Sequence, residues 1–352
     1  MYQIAAATGN HARHVPYIIG RRKLDLSRAA SDFTGVFAAI EISPIHWAGF
    51  IVAILFFLAL DLGVFHRHAH VVRFKEALAW TFLWFTMAMA FAWLLAVFHE
   101  EHRVAATEFL TGYLIELSLS MDNVFVIAVI FSYFRVPSEQ QHRVLFWGIL
   151  GALVMRGVLI CAGAALIARF HWILYALGAF LIYSGIKMVF AGDDSPQPDK
   201  NPVIRLARKL YPVSPDFEGQ RFTTRVNGKL ALTPLAIVLL MVETTDLVFA
   251  LDSIPAIFGI TEKPFIVFTS NVFAILGLRS LYFVLAGAIH YFKYLKIGLS
   301  VVLVFIGIKM LIEFWRWEIN TLLSLIIVAA ILSVSVVLSI IAARFESRRV
   351  NP

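Results

Sequence analysis

Cysteine is almost missing from this chain. The single Cys161 excludes a disulfide within the chain and a thiolate metal cage, and its place in an apolar run makes it a packing residue. Charge is scarce as well: 15% of the 352 residues are Asp, Glu, Lys or Arg, against 60% hydrophobic and 14% aromatic. A soluble domain is roughly 25% charged and 45–50% apolar, so the chain is expected in a lipid bilayer. Its net charge of +7 does not point to nucleic acid, because the basic residues sit in the breaks between apolar runs, where they orient membrane helices. No zinc-protease H-E-x-x-H is present, since His99 and His102 of "HEEHR" are separated by only two residues. No serine or cysteine nucleophile beside a base is visible either, so an enzyme is not expected.

What the chain has instead is long apolar windows. A membrane-spanning helix needs about 20 mostly apolar residues, and nine windows qualify: 47–66, 77–98, 107–134, 143–168, 172–191, 231–260, 264–291, 296–314 and 321–343. The expected fold is an all-α polytopic membrane protein of nine spans, in which 46–98 holds two peripheral spans, 192–230 a linker and 321–343 the last span. Lys and Arg in successive breaks number 3, 1, 2, 1, 7, 1, 2 and 1. The heavy breaks alternate with the light ones, so the positive-inside rule puts the 192–230 linker and the 344–352 tail in the cytoplasm and the 1–45 tail outside. The tail's "GRRKLDLS" (Gly20–Ser27) is followed by no apolar h-region, so no twin-arginine signal is expected. Trp47, Trp172, Trp315 and Trp317 fall at span ends, where an aromatic belt would anchor them. "HRHAH" (His66–His70) and "HEEHR" lie in breaks and read as solvated interfacial groups rather than metal ligands.

The two halves repeat. "SGIKMVF" (Ser184–Phe190) matches "IGIKMLI" (Ile306–Ile312), "ALVMRGVL" (Ala152–Leu159) resembles "ILGLRSLY" (Ile275–Tyr282), and "MDNVFV" (Met121–Val126) resembles "TDLVFA" (Thr245–Ala250), at offsets of 122, 123 and 124. Spans 3–5 (107–191) and 6–8 (231–314) are therefore expected to be copies. Each copy has an odd number of spans, so the second should run through the bilayer inverted, an arrangement characteristic of transporters with a midplane site at the repeat interface.

Away from the window margins, six carboxylates fall inside these spans: Asp61, Glu116, Asp122, Glu243, Asp246 and Asp252. Standing alone they would cost together roughly 15–20 kcal/mol on the insertion scale. Arg156 and Arg279, repeat-equivalent and mid-span, and Lys187 and Lys309, nearer span ends, are the charge-balancing candidates. With all ten groups ionised they leave −2, the charge one divalent cation cancels. Two readings stand: cation ligands, or structural ion pairs. Glu243 and Asp246, three apart, share a helix face, but Glu116 and Asp122, like Asp246 and Asp252, are six apart, about 240° around a helix. Convergence of all five requires the helices to unwind, for which Ser118, Ser120 and Asn123 in one span and Ser253 and Pro255 in the other supply the means. An oxygen-only site without His or Cys suits Mg²⁺, Ca²⁺ or Mn²⁺. Met121 and Met241 lie close by as packing residues or as softer ligands favouring Mn²⁺. Asp61, in "LDLGVF" (Leu60–Phe65), is either a ligand or a hydrated interfacial group, and Asn271 either an interhelical hydrogen bonder or a ligand.

At "ELSLSMDNVF" (Glu116 onward is "ELSLSMDNVF" to Phe125), "VETTDLVFALDSIPAIFGI" (Val242–Ile260) and "TSNVFAILGLRSLYF" (Thr269–Phe283), the sequence resembles the TerC family of bacterial membrane proteins and, within it, its Alx-like members. The likeness spans about residues 45–345 and includes "LDLGVF" and "NPVIRLARKL" (Asn201–Leu210); the first 44 residues resemble nothing in the family. The resemblance implies manganese efflux across a bacterial inner membrane, distant kinship to LysE-type exporters, and a metal path through Glu116, Asp122, Glu243, Asp246 and Asp252. The expected function is export of Mn²⁺ from the cytoplasm, with proton antiport as the coupling, no permanently bound cofactor, and the ion and the bilayer as partners. A transporter of another cation such as Ca²⁺, and a non-transporting metal or tellurite tolerance factor, are the alternatives.

Overall fold

Ten helices and one small hairpin make up the described residues of the computed structural model, which are 44–60, 74–98, 103–190, 200–226, 228–285, 294–313 and 319–350. All fall in the compact unit Ile42–Pro352. In chain order they are α1 (Pro44–Leu60), α2 (Phe74–Phe98), α3 (Arg103–Tyr133), α4 (Ser138–Arg169), α5 (Ile173–Phe190), α6 (Pro202–Leu210), β1 (Thr223–Val226), β2 (Lys229–Leu232), α7 (Pro234–Phe258), α8 (Pro264–Leu285), α9 (Leu295–Ile312) and α10 (Thr321–Val350).

Eight of these, α2 to α5 and α7 to α10, are long and apolar enough to cross a bilayer. The ninth expected span begins as α1, whose 17 residues reach only about 25 Å at 1.5 Å per residue; the rest of its window, with Asp61, "HRHAH" and most of "HEEHR", lies outside the described residues. The outward faces carry Phe82, Trp93, Val154, Val158, Val248 and Val334, each more than half exposed. Such a surface is stable only against lipid, where every backbone polar group is satisfied within its own helix. The chain is an all-α polytopic membrane protein.

The centre of the bundle is α8, with 94% of its span buried, enclosed by α2, α3 and α4. Around it α3 and α4 each pack on both α7 and α8, and α5 packs along α9. Exchanging α3 with α7, α4 with α8 and α5 with α9 leaves this set of pairings unchanged. The α5–α9 contact is a backbone contact: a Cβ on Gly178 would stand 3.1 Å from the Gly307 carbonyl, one on Gly185 2.8 Å from the Ser300 carbonyl, and Ser300 Oγ donates to the Gly185 carbonyl. Small residues let helices approach this closely in lipid, where dispersion rather than hydrophobic burial drives association. Gly185 and Gly307 are the glycines of the matched "SGIKMVF" and "IGIKMLI".

The expected unwinding of spans 3 and 6 does not occur. Both α3 and α7 are unbroken, and α7 passes through Pro255 as helix; one lost backbone bond is tolerated where the neighbouring turns stay paired. Trp47, in the first turn of α1, lays its ring on Phe265 and Phe268 of α8, with centroids 5.1 and 5.5 Å apart. One smaller expectation also changes. Cys161 is exposed on the outer face of α4 and is not packed inside.

The described part of the linker, from residue 200 onward, is docked on the helices. Asn201 caps α6 by accepting from the amides of Val203 and Ile204, with Pro202 at the first helical position, and its amide also donates to Thr244 Oγ1 of α7 at 2.7 Å. The β1–β2 hairpin turns through Gly228 at φ 76°, a conformation glycine adopts without steric cost. Arg143 at the start of α4 stacks on Phe222, 5.2 Å from the ring centroid, and donates to Gln220 at 3.2 Å. Thr233 then caps α7. The linker thus lies over the starts of α4 and α7.

Candidate functional site

Arg156, near the middle of α4, projects between α3, α7 and α8 and is 2% exposed. A guanidinium is always charged, and one buried without partners would be prohibitive, so its surroundings are decided by charge. Its Nε and Nη2 donate to Asp246 Oδ2 and Oδ1 of α7 at 3.1 and 2.8 Å, the two-pronged geometry that suits Arg and carboxylate. Its Nη1 is paired with Glu116 Oε1 of α3 and donates to Asn271 Oδ1 of α8 at 3.1 Å and to Ser253 Oγ of α7 at 3.4 Å. Asn271 in turn donates to Glu116 Oε2 at 3.3 Å, and Asn123 of α3 to Asp246 Oδ1 at 3.4 Å. Four helices meet at this cluster, and with both acids ionised it carries −1.

Beside it a small cleft opens among α3, α4, α7 and α8, its polar lining being Asn123, Thr245 and Asp246. It lies on the linker side, among Leu145 and Gly148 of α4. Asp246, with 11% of its side chain exposed, is reachable from there, whereas Glu116 is fully enclosed. Asn123 is 3% exposed, and its Oδ1 is a buried acceptor with no hydrogen-bond partner. Such an atom costs about 1–3 kcal/mol in desolvation, and a carbonyl oxygen beside a carboxylate is what a hard cation takes as ligand. Toward the other face the path closes: Ile254, Ile257 and Phe258 of α7 are buried in one apolar cluster with Ile115 of α3. Beyond them is a second, more polar cavity lined by Thr261, Glu262, Lys309, Glu313 and Thr321.

Of the sequence candidates, Glu116, Asp246, Asn123, Asn271 and Arg156 therefore come together. The others do not. The 240° between residues six apart holds on unbroken helices, so Asp252 points to α5, where Ser184 Oγ donates to it at 2.7 Å and Lys187 is within electrostatic reach. Asp122 is partly buried. Glu243, three residues before Asp246, faces α4 with its carboxylate in the space a Cβ on Gly151 would fill. Among the described residues no three acidic, His or Cys side chains stand close enough to share a metal ion. Lys187 is exposed and lies 6.0 Å from the Tyr183 ring centroid. Lys309 lines the far cavity near Glu313 and Glu108. Arg279 is buried in α8, and Met121 packs against the apolar core. Met241 accepts from Asn201 at 3.6 Å rather than joining the cluster.

Three residues were missed. Glu108, buried at the start of α3 and paired with Lys263 at 3.4 Å, stands at the margin of its window and reads as interfacial. Ser184 opens the repeated "SGIKMVF" and was legible there. Gly151 carries no signal until Glu243 is seen against it.

The family model described as "Integral membrane protein TerC family" matches residues 101–351. An uncharacterized membrane protein of Myxococcus xanthus is 52% identical over 303 residues, 86% of this chain and 94% of that protein. The "Putative membrane-bound redox modulator Alx" of Salmonella typhi is 47% identical over 305 residues, covering 84% and 94%, and that of Escherichia coli (strain K12) 49% over 277 residues, covering 77% and 86%. No solved structure matches the chain. The chain belongs to the TerC family of integral membrane proteins.

Proposed function

We propose that the protein exports Mn²⁺ from the cytoplasm across the bacterial inner membrane, binding it between Glu116 of α3 and Asp246 of α7. The observation that carries this reading is the buried, oxygen-only cluster at the end of a cleft, with the Asn123 carbonyl oxygen unused. Two carboxylates, two amides and a hydroxyl suit a hard divalent ion, and ionisable groups this deep in a bilayer mark ion pathways as a rule. With the linker cytoplasmic, the N-terminus outside and the C-terminus inside, the cleft faces the cytoplasm and the apolar closure faces out, the inward-open half of an alternating-access cycle. Spans 3–5 and 6–8 act as the inverted repeats that rock about this site; the set of helix pairings that survives their exchange supports that assignment. Glu243 and Asp252 flank the centre along α7 and, with Asp122, extend the acidic path, and protonation of these carboxylates on the outer side supplies the antiport.

A second reading follows the name of the Alx relatives, modulation of redox state. With Cys161 as its one cysteine the chain holds no dithiol–disulfide couple of its own, so thiol exchange would need a partner thiol. Cellular manganese after a Mn²⁺ load separates the two. Cells expressing Asp246→Asn or Asp122→Asn at matched abundance should retain the ion that wild type clears, and clearance unchanged in both variants would defeat the transport reading. Competition by Ca²⁺ on the purified protein distinguishes a calcium carrier.

A further inference from the structure

The guanidinium of Arg156 stands where a transported cation should stand. Five oxygens from α3, α7 and α8 converge on it: both carboxylate oxygens of Asp246, Glu116 Oε1, Asn271 Oδ1 and Ser253 Oγ. That is the donor set of a hard metal ion, filled by a side chain. Stability does not account for it, because a buried ion pair is commonly no more stable than apolar residues of similar volume.

We propose that Arg156 is a tethered competitor of the transported ion: it fills the cation position in the empty carrier, and a divalent ion enters by displacing it. This rests on the divalent-transport reading above and adds what holds the site when cargo is absent. Charge requires the exchange. With Glu116 and Asp246 ionised, Arg156 brings the core to −1 and a divalent ion in its place brings it to zero, whereas both together leave a buried +1. The same arithmetic lets the empty carrier close and return, since the two carboxylates never face a low dielectric unpaired. It also selects for charge. A monovalent ion offers the acids no more charge than the guanidinium does and lacks its two-pronged hydrogen bonds, so Na⁺ or K⁺ cannot evict Arg156, while a divalent ion doubles the attraction.

The test compares wild type, Arg156→Gln and Arg156→Lys, purified in lipid nanodiscs, for equilibrium binding of radioactive Mn²⁺ with and without excess Na⁺. Removing the competitor should tighten Mn²⁺ binding about tenfold or more, and Na⁺, without effect on wild type, should now compete. Arg156→Lys, which keeps a tethered cation, should stay near wild type on both counts. In liposomes Arg156→Gln should also turn over more slowly, because the ion is no longer expelled. A folded Arg156→Gln that binds Mn²⁺ no more tightly and ignores Na⁺ overturns the proposal. Where that variant does not fold, infrared difference spectra of wild type decide: Mn²⁺ addition should shift guanidinium bands that move with ¹⁵N-arginine labelling, and their absence overturns it. Wild type that binds Mn²⁺ without that shift leaves the transport reading standing and removes this one, whereas wild type that binds no divalent ion removes both.

Discussion

Gly151 is the position where a single methyl group tests the placement of Glu243. A Cβ there would overlap the Glu243 carboxyl group, so in Gly151→Ala the carboxyl group must move. Two effects oppose each other. Alanine favours the helix by about 1 kcal/mol over glycine. Forcing a fitted polar group aside in a packed interior costs about 1–3 kcal/mol, and the low end applies because the obstacle is the tip of a flexible side chain and not backbone. Gly151→Ala alone should therefore change stability by about 1 kcal/mol or less, on the destabilising side. In a Glu243→Ala background the obstacle is gone, and the same methyl group should stabilise by about 1 kcal/mol. The coupling between the two positions is then about 1–2 kcal/mol, well above the error of a double-mutant cycle. Reversible unfolding of the four proteins in mixed micelles measures it, and additivity within about 0.5 kcal/mol would refute the contact. Transport should slow in Gly151→Ala, because Glu243 no longer flanks Asp246 on the α4 side.

Asn123→Leu removes a buried acceptor that has no partner and a donor bond of 3.4 Å, so unfolding free energy should change by about 1 kcal/mol or less, while Mn²⁺ flux into inside-out vesicles should fall about tenfold or more for want of a ligand. Wild-type flux in that variant would show the amide to be structural. Gly307→Leu drives a side chain into the Gly178 carbonyl and Ile182 and should cost about 3 kcal/mol or more, seen as loss of monodisperse protein on size exclusion. Gly157→Ala, whose Cβ would meet only Phe268 at ordinary contact distance, should express as wild type, and similar behaviour of the two variants would contradict the α5–α9 packing.

The spans were legible because a bilayer asks one thing of a helix, apolar length, and the windows that meet it are plain in the sequence. The glycines of the two G-I-K motifs were visible as a repeat before their reason was: they are where α5 and α9 touch. The site was half legible. Intramembrane charge singled out Glu116, Asp246 and Arg156, since a cost of several kcal/mol per group needs compensation, but which acid answers which arginine depends on helix rotation and on contacts 90 residues apart in sequence. Helical phase did carry the separation of Asp252 from Asp246. The expectation that these helices unwind failed where Arg156 answers Glu116 and Asp246 and Ser184 answers Asp252 with α3 and α7 intact.

Manganese flux through purified protein in sealed liposomes tests the central claim most directly, with wild type, Glu116→Gln and Asp246→Asn reconstituted at equal density. Wild type should carry radioactive Mn²⁺ down its gradient or against an opposing proton gradient, and each single neutralisation should reduce that flux at least about tenfold while the protein stays folded. Equal Mn²⁺ flux in all three proteins, or none in wild type, would contradict a carboxylate-bound cation path through the Glu116–Arg156–Asp246 core.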